Sequence, residues 1–307
     1  MIKTIHPADE QHWLSLRKQD VTSTETAALF GLSPYMTQFE LWHRKHDNLE
    51  VEFKMNDRVV WGKRLEATIA DGIAMDRGWP IAQMTEYIRD TDLRMGASFD
   101  FKILDGRLHV NPREDEILEI KNVDSLAFRD GWIVDGDNVE APPHIEIQVQ
   151  QQLALTGFKN AWIGALIGGN RVVLIKREPD PVVIESIKNR IREFWESVGS
   201  NNPPKPDFAK DADFIASLYS HADPGTVFNA DERVSKLAFA YKQAGAEEKT
   251  AKEKKDAAKA EILTIIGSAE KVVGPWGSIS AGLVGPTRVE YDREGFRKFR
   301  VNIKKEK

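Results

Sequence analysis

Asp100, Glu119 and Lys121 are the residues of this chain whose types and spacing invite chemistry. Each interrupts an apolar run, Asp100 in "GASFDFKIL" and the other two in "EILEIKN". Strand side chains alternate faces, so Leu118 and Ile120 point one way while Glu119 and Lys121 point the other; the same parity separates Asp100 from Phe99 and Phe101. If the two strands are neighbours, one face is core and the other gathers two carboxylates and an ammonium. Two carboxylates with a main-chain carbonyl and waters suit a hard cation such as octahedral Mg²⁺. Such an ion makes its bound water a nucleophile near neutral pH and offsets charge growing on a phosphate. Lys121 would orient that water or contact the phosphate. The plain alternative is a solvated strand face with a Glu–Lys pair, a pattern that chance supplies often.

Three further groups bear on the choice. Glu66 falls within the apolar stripe of a predicted helix, where a carboxylate is costly unless a cation or donor meets it. A salt bridge to Arg64 or Arg58 at the stripe edge explains it equally well. In "EIQVQQQLALTG" the glutamines 148, 150, 151 and 152 exceed what a core helix needs, and two of them are expected at solvent. Gln148 and Gln152 are four apart and would share a face aimed at one pocket, unless the whole set is a plain polar face. Arg17 precedes Thr24 by seven residues, and a hydroxyl in the first turn of a short helix beside a guanidinium would make a phosphate cup. A capped helix with a surface arginine is the ordinary reading of the same residues.

The elements that must position these residues follow from pattern. Asp9 caps a helix over "EQHWLSLRK"; Thr22 to Glu25 has capping-box spacing and opens "TAALF", which Gly31 closes; "FGLSPY" forces a turn. A longer helix is predicted from Asn56 to Gly78, with Val59, Gly62, Ile69 and Ile73 on its inner stripe. A meander follows: "MGASFDFKIL" as one strand, a turn at Asp105-Gly106, "RLHV", the loop "NPRED", and "EILEIKN". Pro142 and Pro143 precede the glutamine helix, "AWIGALI" and "RVVLIKR" form a hairpin around "GGN", and Asp180-Pro181 starts a helix with Ile187, Ile191 and Phe194 inward.

The stretch "NNPPKP", residues 201–206, is a Pro-rich linker dividing a domain over 1–200 from an extension over 207–307. The extension reads as a long helix over 231–267 with an apolar seam of Val234, Leu237, Tyr241 and Ala244, either folded back or extended as a coiled coil. Short strands follow, carrying Arg288, Arg293, Arg297, Lys298, Arg300, Lys304 and Lys305.

Composition excludes some classes. The 307 residues are 41% hydrophobic and 30% charged, ordinary globular usage. No run of eighteen apolar residues and no apolar leader is found, so neither a membrane span nor secretion is expected. Without cysteine, no disulfide or thiolate-held cluster can form, and any metal must take oxygen or His ligands. A net charge of -5 does not advertise nucleic-acid binding, but it averages over patches and leaves room for a basic channel.

Taken in order, "LRKQDVTSTETAALFGLSPYMTQFELW", "VWGKRLEATIAD", "GASFDF", "LEIKN" and "IQVQQQLALTG" resemble the YqaJ-like viral recombinase family, the phage lambda exonuclease group, over about residues 10 to 200. Each piece is unspecific alone; five in sequence are not. The resemblance implies an α/β (α+β) PD-(D/E)XK restriction-endonuclease-like core, a mixed central sheet flanked by helices, here followed by a C-terminal helical and small β extension. It matches Asp100 and Glu119 to the metal-binding carboxylates, with the Ile120 backbone carbonyl as a further ligand, and Lys121 to the catalytic lysine. It matches Glu66 to the helix glutamate bordering the metals, directly or through water, and Gln148 to the first glutamine of the family's "QVQ". Arg17 and Thr24 match the pair that holds a 5′-phosphate, while "GLSPYMTQ" offers no counterpart to the family's second phosphate-pocket arginine.

The expected activity is then a Mg²⁺-dependent 5′-to-3′ exonuclease on double-stranded DNA ends, with two ions per site and Mn²⁺ able to substitute. It would leave 3′ overhangs for a single-strand annealing protein in a phage-type recombination system. The resemblance also implies a homo-oligomeric ring, trimeric or tetrameric, acting in the cytoplasm of a bacterial host and encoded by a phage or prophage. Two rivals stand beside it: a non-catalytic DNA- or partner-binding module on the same fold, and an endonuclease or repair nuclease of the same superfamily. The iron–sulfur version of the latter is excluded by the missing cysteines.

Overall fold

The computed structural model describes residues 1–49, 56–104, 115–136, 138–290 and 297–303. The turn expected at Asp105-Gly106, the strand "RLHV" and residues 111–114 of the next loop lie outside the described residues, as do Arg293, Lys304 and Lys305. The chain divides into two compact units, Met1–Ile215 and Ala216–Lys307. The Pro-rich stretch 201–206 and the residues up to Ile215 belong to the first unit.

In the first unit, β1 (Ile2–Ile5) leads to α1 (Glu10–Gln19), whose Asp9 cap accepts from the His12 N–H at 2.7 Å. β2 (Val21–Thr22) precedes a single 3₁₀ turn, Thr26–Phe30, closed by Gly31 at φ 67°. This corrects the expected capped helix. Thr22 is held in β2 by pairing with Gly96, so only half of the capping box forms, the Thr22 N–H donating to Glu25 at 2.9 Å. Thr24 therefore stands before the turn rather than in its first residues. Thr37 caps α2 (Gln38–His46), and Asn56 and Gly78 bound α3 (Asp57–Arg77). Only the second half of the expected α3 stripe is core: Ile69 and Ile73 are buried, whereas Val59 is 40% exposed.

The strands β3 (Ile81–Gln83), β4 (Tyr87–Asp90), β5 (Met95–Ala97), β6 (Phe101–Ile103) and β7 (Glu116–Val123) are followed by α4 (Ser125–Gly131) and the hairpin β8 (Ile133–Asp135) with β9 (Asn138–Glu140). α5 (Pro143–Thr156), β10 (Asn160–Ile167), β11 (Arg171–Arg177) and α6 (Pro181–Gly199) complete the layers. One sheet has the order β1-β4-β5-β2 and the other β11-β10-β7-β6-β3.

"MGASFDFKIL" is thus not one strand. It breaks at residues 98–100, and β5 and β6 lie in different sheets. The meander is also only partial: β6 pairs antiparallel with β7, but β10 runs parallel to β7, which requires the long crossover through α4 and α5.

The larger sheet is mixed and covered on both faces. Ile69, Ile73, Phe101, Leu118 and Ile120 form one apolar cluster, and Ile117 and Ile163 join Val149, Leu153, Ile187 and Ile191 in the other. β7 therefore obeys the strand alternation, Leu118 and Ile120 against α3 and Ile117 on the opposite side.

The smaller sheet is packed tightly around Gly96 of β5. A Cβ there would overlap the Tyr87 hydroxyl and approach Asp20. That hydroxyl donates to Asp20 at 3.0 Å, and Arg89 donates to the other Asp20 oxygen at 2.6 Å, all three side chains being buried. Gly96→Ala is expected to break this triad and cost about 3 kcal/mol, read as a lower urea midpoint. Gly72→Ala, on the exposed face of α3 with open space around it, should instead stabilise by about 0.5–1 kcal/mol.

α7 (Ala212–Leu218) begins in the first unit, where the buried Asp211 accepts from the Thr37 hydroxyl and from the Asp207 N–H at 2.8 Å. In the second unit α8 (Glu232–Ile266), capped by Asp231, is one unbroken helix with no buried residue. β12 (Lys271–Gly274) and β13 (Gly277–Ser280) pair as a hairpin. Arg288, Arg297, Lys298 and Arg300, expected on strands, lie in irregular chain. No helix among the described residues is long and apolar enough to cross a membrane.

Candidate active site

The break at residues 98–100 sets the geometry. As the chain passes from β5 to β6, Asp100 turns its carboxylate onto the neighbouring strand and accepts from the Ile120 N–H at 2.7 Å. Parity alone did not isolate this residue, since Phe99 and Phe101 belong to opposite clusters. On β7, Glu119 and Lys121 share the face toward α5. Glu119 is 3% exposed, and its carboxylate has three donors: the Lys121 ammonium, Gln148 at 2.6 Å and Gln152 at 2.7 Å. Glu66, half-buried on α3, is within the field of Glu119 and Lys121. Neither Arg58 nor Arg64 is its partner: Arg58 bonds Asp124 at 2.7 Å, and Arg64 lies over the Trp61 ring at 5.1 Å.

Charge in this cluster is unbalanced. Burial, then the Glu119 charge, pushes the Asp100 carboxyl well above its usual range. The same two causes raise Glu66. Burial by itself would lower the Lys121 ammonium, but Glu119 and Asp100 outweigh it and hold it above its ordinary value. One ammonium thus faces three carboxylates in a desolvated place, an arrangement that a divalent cation would relieve. The donor set is all oxygen, which suits Mg²⁺ rather than a softer metal. Among the described residues no three His, Asp or Glu side chains already form a metal cage. Two carboxylates completed by a main-chain carbonyl and water need none.

α5 holds the pieces in place. All four of its glutamines are buried, so the expected solvent-facing pair does not exist. Gln152 bonds the Ser98 carbonyl at 3.1 Å as well as Glu119, and so fixes the break beside Asp100. Gln151 donates to Val21 and Gly96 carbonyls at 3.1 and 3.0 Å and accepts from the Thr26 hydroxyl. Gln150 binds the Glu178 carbonyl at 2.9 Å and the Asp180 N–H at 2.8 Å. Gln152→Leu removes a donor to Glu119 while keeping the size, and should weaken Mg²⁺ binding about 10–100-fold, measured by calorimetric titration.

Arg17 and Thr24 do meet: the guanidinium donates to the Thr24 hydroxyl at 3.3 Å, with Thr22 at 3.2 Å from the same oxygen. What these residues would offer a phosphate is a group of side chains rather than a helix N-terminus, because Thr24 precedes the 3₁₀ turn. Lys45 carried no signal in the sequence, and Glu25 was read there only as part of a capping box. Lys45 bonds both Glu25 and the Arg17 carbonyl at 2.9 Å. Burial works to raise the Glu25 carboxyl, yet Lys45 and Arg17 together hold it low. The missed signal was the capping-box Glu25, which serves as a charge anchor as well as a cap.

A carboxylate before one strand, Glu-x-Lys on its antiparallel neighbour and a glutamate on the preceding helix, all on a mixed helix-flanked sheet, are the arrangement expected of a PD-(D/E)XK core. Residues 12–159, all within the first unit, match the YqaJ-like viral recombinase domain. The uncharacterized protein YqaJ of Bacillus subtilis (strain 168) is 23% identical over 215 residues, which cover 69% of this chain and 64% of that protein. The chain therefore spans less than two thirds of that relative. An alkaline exonuclease from Laribacter hongkongensis is 17% identical, with a TM-score of 0.48 over 68% of this chain and 99% of its own. A phage related exonuclease from Haemophilus somnus 129PT is 13% identical, with a TM-score of 0.39 over 64% and 91%.

Proposed function

We propose that the first unit is a Mg²⁺-dependent deoxyribonuclease that removes nucleotides from the 5′ end of one strand of duplex DNA. The observation that carries this reading is the group formed by the buried Glu119 with the partly buried Asp100 and Lys121, with its excess of negative charge. Asp100, Glu119 and the Ile120 carbonyl would hold the metal, with Glu66 bordering it. Two ions, with Mn²⁺ as a substitute, fit the number of carboxylates. When bound, the metal supplies an activated water and offsets charge on the phosphate. The protein does the rest: Gln148 and Gln152 fix the Glu119 oxygens, Asp100 is aimed by the Ile120 N–H, and Lys121 presents a permanent cation to the scissile phosphate or the attacking water. Arg17 and Thr24 would take the 5′-phosphate. The product would be a 3′ overhang for a single-strand annealing protein, and a homo-oligomeric ring would enclose the duplex.

A linear duplex incubated with and without Mg²⁺ tests the activity. Nucleotide release only with the metal is expected; binding without release would leave a non-catalytic module. Rapid nicking of covalently closed circles would make the protein an endonuclease instead. Arg17→Ala and Thr24→Ala should each reduce the preference for 5′-phosphorylated over 5′-hydroxyl ends about tenfold. An unaltered ratio of the two rates removes them from end recognition.

A further inference from the structure

The loop between the 3₁₀ turn and α2 presents Tyr35 to solvent, 77% exposed. The loop itself is well held. The Ser33 hydroxyl accepts from the Tyr35 N–H at 3.2 Å and the Met36 N–H at 3.4 Å, Gly31 bounds it on one side and the Thr37 cap on the other. The Tyr35 ring meets His144 edge to face, centroids 5.7 Å apart and planes at 89°. His144 lies in the first turn of α5, four residues before Gln148 and eight before Gln152. At helical spacing the three share the face whose two glutamines reach Glu119. The ring pair therefore borders the reacting group. Charge agrees: burial and then Lys121 lower the His144 imidazole, and Tyr35 bears on Lys121. Nothing in the hydrolysis proposed above uses either ring.

We propose that Tyr35, braced by His144, is a stacking platform for a nucleobase of the strand being cut, holding that base unpaired beside Lys121. Every base has a π-face, so a phenol ring grips nucleotides without choosing among sequences, as an end-degrading enzyme must. The edge-to-face contact fixes the tilt of the phenol and leaves a face open. The inference rests on the nuclease reading, but its test does not depend on cleavage.

The test is equilibrium binding of a fluorescein-labelled single-stranded oligonucleotide in Ca²⁺, followed by steady-state cleavage of a duplex in Mg²⁺. Tyr35→Ala should weaken single-strand binding about tenfold, and the loss in cleavage should be carried by KM. Tyr35→Phe should restore both, and His144→Ala should show part of the defect. Thermal melting checks that the variants are folded. Binding by Tyr35→Ala within about twofold of the wild type, or a Tyr35→Phe as weak as the alanine, overturns the platform. A wild-type protein that binds the oligonucleotide but releases no nucleotide sinks the nuclease reading, while the comparison of variants still decides the platform. No single-strand binding by the wild type also overturns it.

Discussion

Lys121→Ala is expected to bind Mg²⁺ and duplex DNA but to release nucleotides about a thousandfold more slowly. The ammonium is bonded to Glu119 and held in its charged form by Glu119 and Asp100 against the pull of burial. A group so held is a poor proton acceptor at neutral pH. Its use is as a fixed cation, and a fixed cation in a low-dielectric site contributes far more to a developing phosphorane charge than the same charge in water. Removing it also frees Glu119 of a competitor, so metal affinity should not fall. Lys121→Arg restores the charge but not the position, because the planar fork of arginine cannot reproduce a point ammonium. Single-turnover release with DNA binding measured in parallel separates these effects, and a loss of less than about tenfold would remove Lys121 from the chemistry.

Asp100→Asn should move stability and activity in opposite directions. The folded-state carboxyl is raised by burial and by Glu119, so the native protein takes up a proton more readily than the unfolded chain. Sign follows: for a raised acid, folding is penalised once pH exceeds the ordinary carboxylate value, and the penalty is present at neutral pH. A neutral isostere removes it and can still accept from the Ile120 N–H. The metal-free variant should melt about 2–4 °C higher than the wild type. Mg²⁺ should then add little to its melting temperature, and cleavage should fall about a thousandfold. A variant that melts lower without metal and gains as much from Mg²⁺ as the wild type would show that Asp100 is an ordinary structural carboxylate.

Much of the frame was legible in the residues. Helix ends followed from caps: Asp9, Asn56, Gly78 and Asp180 stand at the boundaries their chemistry predicts. Alternation on β7 was also readable, since Glu119 is opposed in facing to Leu118 and Ile120. The break at Asp100 was not. Nothing in "GASFDF" is forbidden in a strand, and only the assignment of β5 and β6 to different sheets, a long-range matter, forces the chain to bend there. Thr22 failed as a helix cap for a related reason: pairing with Gly96 claimed it first. The glutamines misled because burial of polar amides is favourable only when each finds partners, and those partners come from Val21, Gly96, Ser98 and Glu178, remote in sequence. Glu66 could be noticed as anomalous from its helix, yet the field it feels comes from another strand.

Neighbouring glutamines on α5 have separate clients. Gln151 grips the strand next to Thr24, and Gln152 grips Glu119 and the chain beside Asp100. The helix behaves as a common axle, so a slip of one residue would derail the proposed end recognition and turnover together. Selection for altered tolerance of unphosphorylated ends should accordingly yield changes at Arg17 or Thr24 and spare the helix, because there one trait can drift without dragging the other.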